Sequence, residues 1–218
     1  MLFAAHSVKD YSHYGVSDMT KFMQIALSGA AMFLGVAVLP TASAEDPSLL
    51  PRSKMELLEP LVGRWEVDRE QTLDGGESWR TIPAMLVDVR YRNKGLLLEE
   101  TSVDVDDPSF HVLSFVTFDQ FQDVFRQAVA EDHWGMMDIS EGELTDGLLV
   151  VDNLESQTFY PMGESGLRAL RISHQISSPE RVVYIDESYD QGTSWSPLFR
   201  FNYTLVSPTD IAPEKADD

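Results

Sequence analysis

The chain has 218 residues, 43% of them hydrophobic and 10% aromatic, no cysteine, and 16 basic against 36 acidic groups for a formal net charge of -20. That balance excludes a broad cationic face for nucleic-acid phosphates, and the missing cysteines exclude disulfide frameworks, thiolate zinc sites and cysteine nucleophiles. Aromatic content and ordinary hydrophobicity exclude wholesale disorder, and the length suits one domain that buries roughly 70% of its unfolded surface.

Residues 1–44 read as processing rather than fold. Met19-Thr20-Lys21 opens a charged n-region, an apolar stretch runs over 22–39, and Pro40 leads to Ala42-Ser43-Ala44 before the acidic Glu45-Asp46. This is the pattern of a signal peptide over 19–44, with cleavage after Ala44 and a periplasmic or secreted product. A spanning helix is the alternative, but the run sits near the lower limit of about 17 residues, is diluted by Gln24, Ser28, Gly29 and Gly35, and lacks a basic stop-transfer cluster. No cysteine stands at the cut for a lipid, so no stable membrane anchor is expected after processing. Residues 1–18 precede the better initiator Met19 and read as an over-extended start, which leaves His6 and His13 outside any site argument. Removing 1–44 leaves 14 basic and 34 acidic groups, so the whole net charge stays on the exported part.

A leader over 45–56 ends in Ser53-Lys54-Met55-Glu56, a capping-box pattern ahead of Leu57, Leu58 and Leu61, and predicts one short helix. Turn signals then recur at Asp74-Gly75-Gly76, Asn93-Lys94-Gly95, Asp106-Asp107-Pro108, 119–123, Thr145-Asp146-Gly147, Ser178-Pro179 and Asp190-Gln191-Gly192. The β-rich runs between them predict about ten strands, at 64–72, 85–91, 96–103, 110–118, 124–130, 136–144, 148–154, 167–176, 181–189 and 198–205. No helical crossover separates them, so the chain is all-β and the sheet an antiparallel meander. A sheet that wide should curl and close as an up-and-down barrel over 57–206, with a two-sheet sandwich as the alternative. The longest irregular connection, 157–166, is placed at the barrel mouth, where ligands enter. An acidic tail, 207–218, follows.

Leu61-Val62-Gly63-Arg64-Trp65-Glu66 resembles the opening strand of lipocalin-type barrels, whose G-x-W element packs its Trp across the barrel floor. Together with Phe118-Asp119, Ser140-Glu141-Gly142-Glu143-Leu144 and the closing stretch 186–203, it resembles an uncharacterised bacterial secreted family, a domain of unknown function with a lipocalin-like (calycin-like) barrel, over about residues 57–206. The resemblance implies a fold and no catalytic residue. Ser188-Tyr189-Asp190-Gln191-Gly192-Thr193-Ser194-Trp195 matches the S-x-D-x-G-x-x-W pattern of Asp-box hairpins, and 72–79 is similar. Without a blade-length repeat between them, both are expected to be structural turns.

Three histidines survive processing. His174 alternates with Leu170, Ile172 and Ile176 on an apolar face, with Arg168 at its end, so it points either into a lumen, towards a ligand or a haem iron, or into a core against a bonded neighbour. His111 is expected at a strand rim and His133 in a turn. No H-x-H or H-x-x-x-H pair exists, the 104–107 acidic run lacks the glycine and distal glutamate of an EF-hand loop, and neither G-x-S-x-G nor S-x-x-K occurs. Glu99 and Glu100 are neighbours on one strand and point to opposite faces. The closing strands hold Arg181, Tyr184, Arg200, Asn202 and Tyr203. Phe199, Phe201 and Tyr203 share one face and are expected in the core with Arg200 outside, and the alternative phase would turn Arg200 inward to clamp a ligand carboxylate.

The expected function is a non-catalytic exported barrel binding a small, largely apolar molecule, its lumen lined from among Trp65, Phe115, Phe125, Ile172, His174 and Tyr184. One alternative is an envelope hydrolase or isomerase pairing His174 with Glu100 or Asp186; another is a structural or interaction barrel without a ligand. Haem, through His174, is the only cofactor that the pattern suggests. No catalytic residue and no metal ligand is assigned.

Overall fold

The computed structural model describes residues 49–103, 111–131, 135–176 and 180–207. Residues 1–48 with His6 and His13, the 104–107 run, His133, Ser178-Pro179 and nearly all of the expected acidic tail lie outside the described residues. The strands are β1 (Gly63–Gln71), β2 (Arg80–Arg92), β3 (Leu97–Ser102), β4 (Val112–Asp119), β5 (Val124–Glu131), β6 (Met137–Thr145), β7 (Leu148–Asp152), the two-residue β8 (Tyr160–Pro161), β9 (Leu167–Gln175), β10 (Glu180–Ser188) and β11 (Ser196–Ser207). Apart from β8, which pairs only at the start of β9, each strand pairs antiparallel with the next, and β11 pairs with β1 to close a ten-stranded up-and-down barrel. Closure leaves no ladder of unpaired backbone groups along the long strands, which a sandwich would expose at its edges.

Alternation sends Trp65, Val67, Val87, Val89, Leu98, Val116, Phe118, Phe125, Leu149 and Val151 inward, where they fill one half of the barrel. Trp65 is fully buried, donates its indole N–H to the Leu61 carbonyl at 2.8 Å and sets its ring edge-on to Tyr203. A helix, α1 (Leu49–Glu56), closes this end: Met55 and the following Leu58 are fully buried, and the Tyr91 hydroxyl donates to the Met55 carbonyl at 2.6 Å. Burying either side chain is worth roughly 2 kcal/mol, so the end of the expected leader belongs to the core.

The helix also ends earlier than the capping-box pattern predicts. Ser53 lies inside α1 and its hydroxyl donates back to the Leu50 carbonyl. Leu57 and Leu58 bond three residues back and Pro60 opens a 3₁₀ turn over Glu59–Leu61, so the chain tightens just where the pattern called for more helix. Gly142, in the Ser140–Leu144 motif, has a plain structural reason. A Cβ there would lie inside the Val150 carbonyl of the neighbouring strand, so only glycine lets β6 and β7 approach this closely.

Among the described residues the opposite end is open and carries the connections 72–79, 153–166 and 189–195. Both Asp-box segments are hairpin turns of one geometry. Asp74 accepts from the Ser78 amide at 3.0 Å and the Gly76 amide donates to Thr72 Oγ1 at 2.9 Å; Asp190 accepts from the Ser194 amide at 2.9 Å and the Gly192 amide donates to Ser188 Oγ at 2.8 Å. The Ser78 bonds hold the Asp74 carboxyl far below the ordinary range, and those from Ser194 hold Asp190 down at about 2. The two tryptophans stack under arginines from the outer wall, Trp79 under Arg200 and Trp195 under Arg171.

Candidate functional site

The open half of the barrel holds a cavity of about 480 Å³. Its wall is built from inward positions of the strands: Ile82 and Met85 on β2, Val129 on β5, Leu170 and Ile172 on β9, Val183 and Ile185 on β10, and Phe199 and Phe201 on β11. Tyr160 and Met162, from the connection 153–166, reach over it at the mouth. Opposite Val67/Arg69 and Ile185/Asp186 the register shifts put an extra residue on β2 and on β11, which bulge beside it.

Between cavity and dry core runs a layer of polar side chains contributed from opposite sides of the barrel. Tyr203 on β11 donates its hydroxyl to Glu100 Oε1 on β3 at 3.0 Å, and Arg181 on β10 donates Nη2 to Glu100 Oε2 at 2.9 Å. The same Arg181 nitrogen lies 3.3 Å from His174 Nδ1, while His174 Nε2 lies 3.0 Å from Gln127 Oε1, and Gln127 Nε2 donates to Ser114 Oγ at 3.0 Å. Arg181 is 2% exposed and its guanidinium stacks 4.0 Å from the Tyr203 ring centroid, so Glu100 supplies a countercharge that burial makes obligatory.

The bond directions follow from chemistry. Arginine only donates, so His174 Nδ1 accepts and the proton sits on Nε2, from which it is donated to the Gln127 carbonyl. Burial, reinforced by the Arg181 charge, pulls the His174 pKa down to about 3 and keeps the ring neutral. Burial and the Glu100 charge push the Tyr203 hydroxyl well above its ordinary range, so it remains a donor.

Nearer the mouth, Arg69 is 5% exposed and donates Nε to the Pro83 carbonyl at 2.7 Å, and Arg168 pairs with Glu187 at 3.3 Å. Asp138, 2% exposed, accepts from Asn153 Nδ2 at 2.9 Å and Thr158 Oγ1 at 2.7 Å, while burial raises its pKa. Asn153 also accepts the Leu170 amide at 2.8 Å and donates to the Thr158 carbonyl at 3.0 Å, which ties the 153–166 connection to the wall.

Of the six residues expected in the lumen, Ile172 and His174 line the cavity. Trp65 and Phe125 face inward but lie among the side chains that fill the closed half. Phe115 and Tyr184 are placed otherwise: Ser114 and Val116 take the inward positions of β4, Val183 and Ile185 those of β10, and Tyr184 is 41% exposed. Asp186 stands opposite Arg171 in the β9–β10 pairing, which puts it on the outer face away from His174. Glu100 reaches Arg181 rather than the imidazole. Arg200 is outside, paired with Glu70 at 2.5 Å, and Phe199, Phe201 and Tyr203 are inside. Glu99 pairs outward with Arg90 and Arg92.

No protein-family model and no curated protein sequence matches the chain. The site therefore has to be read from its own chemistry. His174 is a poor general base, because Nδ1 already accepts from a cation and Nε2 already carries the proton. The same occupancy leaves neither ring nitrogen open to a haem iron in this arrangement. Among the described residues no three His, Asp or Glu side chains gather as a metal site. Sequence reasoning missed Ser114 and Gln127 and gave Arg181 no role, although each keeps the inward phase of its strand: Ser114 with Val116 and Phe118, Gln127 with Phe125 and Val129, and Arg181 with Val183 and Ile185.

Proposed function

We propose that the protein is an exported barrel that binds a small, largely apolar molecule in its lumen. The observation that carries this reading is the cavity itself, about 480 Å³, open at one end and walled mainly by aliphatic and phenyl side chains. That volume falls within the roughly 300–1,000 Å³ of small-molecule sites, and a few convergent polar groups at an apolar pocket are the usual means of orientation. The closed set of bonds around His174 supports a binder over a hydrolase or isomerase. The signal-peptide pattern over 19–44 supports export, and the floor position of Trp65 supports kinship with lipocalin-like secreted barrels.

Native mass spectrometry of protein taken from its own envelope tests the reading directly, together with displacement of the neutral fluorophore Nile red by apolar molecules. Ile172→Trp fills the cavity from its wall and is expected to abolish dye uptake, whereas Tyr184→Trp on the outside leaves it intact. Equal dye binding by both variants would show that the lumen is not where the dye resides.

A further inference from the structure

Resting on the lumen-binder reading, we infer that the ligand carries an uncharged oxygen acceptor, of the ester, ketone or amide type, at its buried end, and that the Ser114 hydroxyl donates to it. The argument begins with the polarity of the layer beneath the cavity. Arg181 fixes His174 as the Nε2–H tautomer, His174 fixes the Gln127 carbonyl towards itself, and the Gln127 amide group is thereby turned to donate to Ser114 Oγ. Each link is a donor meeting an acceptor, so the relay ends on Ser114 as an acceptor whose own proton is left over.

Ser114, Gln127 and His174 are each 5% exposed and each line the cavity. The wall around them carries Val112, Val129, Ile172 and Val183, and the one acceptor opposite Ser114 in the β3–β4 pairing, Glu100, already takes Tyr203 on one oxygen and Arg181 on the other. A hydroxyl that cannot donate forfeits a bond it would make in water, and the remedy this wall permits is an acceptor brought by the occupant.

Charge decides which acceptor. The cation at the floor, Arg181, is already matched by Glu100, and Glu100 itself lines the cavity. A carboxylate at the buried end would face that carboxylate in an apolar surrounding, whereas a carbonyl oxygen takes the proton without adding charge. Size limits the rest. A cavity of about 480 Å³ lies in the range of small-molecule sites and suits a medium acyl chain with its head.

The test compares methyl octanoate, octanoate and octane as competitors of Nile red on the wild-type protein and on Ser114→Ala. One hydrogen bond corresponds to about a fivefold to tenfold loss of methyl octanoate affinity in Ser114→Ala, with octane unchanged between the two proteins. A merely structural role for Ser114 would weaken both molecules alike and overturns the inference. So does tighter wild-type binding of octanoate than of its methyl ester, which would place an anionic head at the floor. A second readout is the infrared carbonyl band of carbon-13-labelled methyl octanoate. It is expected at lower frequency when bound to the wild type than when bound to Ser114→Ala, and an identical position in both proteins also overturns the assignment. If neither Nile red nor any of the three molecules binds the wild type, the lumen-binder reading falls and takes this inference with it. Binding without dependence on Ser114 removes the inference alone.

Discussion

His174 is a buried imidazole that the fold keeps neutral, and its cost appears as a pH dependence of stability. Its folded pKa, about 3, lies below the ordinary 6.5 because burial and Arg181 both disfavour the charged ring. Between those values the unfolded chain binds a proton that the native state refuses. The stability present above pH 6.5 is therefore lost as pH falls, by about 1.4 kcal/mol per pH unit within the window. Urea unfolding of wild type and His174→Gln at pH 7, 6 and 5 should show the wild type losing stability faster on acidification by about that slope. Parallel curves would mean that the ring titrates alike in both states. Alternation along β9 made the inward pointing of His174 and Ile172 legible. It could not supply depth along the barrel axis, and depth is what separates Trp65 and Phe125, packed in the closed half, from Phe199 and Phe201 on the cavity wall.

Strand phase was harder to read wherever polar residues turn inward. On β4 two large apolar residues, Leu113 and Phe115, face out, and the inward set of Val112, Val116 and Phe118 is interrupted by Ser114; on β10 the inward set begins with Arg181. Partners on other strands set these phases: Ser114 and Arg181 belong inside because Gln127, Glu100 and His174 meet them there, and no single segment contains that information. The mouth connection was legible over 157–166, whereas its start at 153 and the anchor there were not. Asn153 is fully buried and serves Asp138, Leu170 and the Thr158 carbonyl at once, so its substitution strands several buried groups together. Asn153→Leu should destabilise the protein by about 2–4 kcal/mol in urea unfolding, with faster hydrogen exchange at the Leu170 amide. Should stability stay within about 0.5 kcal/mol, a range ordinary for surface positions, the anchor is not what holds this connection.

At the scale of the whole molecule, the net charge of -20 meets a fold that has neither a disulfide nor a cationic face to offset it. Two electrostatic effects of opposite sign compete. Ion pairs such as Arg64–Asp88 and Arg90–Glu99 are attractive, yet their arginine side chains are 43% and 39% exposed, so solvent screens them and their net contribution is small. Against them stands the mutual repulsion of acidic groups spread through the turns of a compact barrel, which unfolding relieves by letting the charges separate. Raising salt weakens both effects, since the Debye length falls from about 30 Å at 0.01 M to about 8 Å at 0.15 M. The acidic excess is larger than the set of pairs, and repulsion acts over longer distances than pair contacts, so screening should remove more destabilisation than stabilisation. The melting temperature at pH 7 is therefore expected to rise when sodium chloride goes from 0.01 M to 0.15 M. A fall over that interval would make the outer-wall ion pairs the dominant electrostatic contribution, and would locate the barrel's tolerance of its charge in specific contacts rather than in the core and closed sheet.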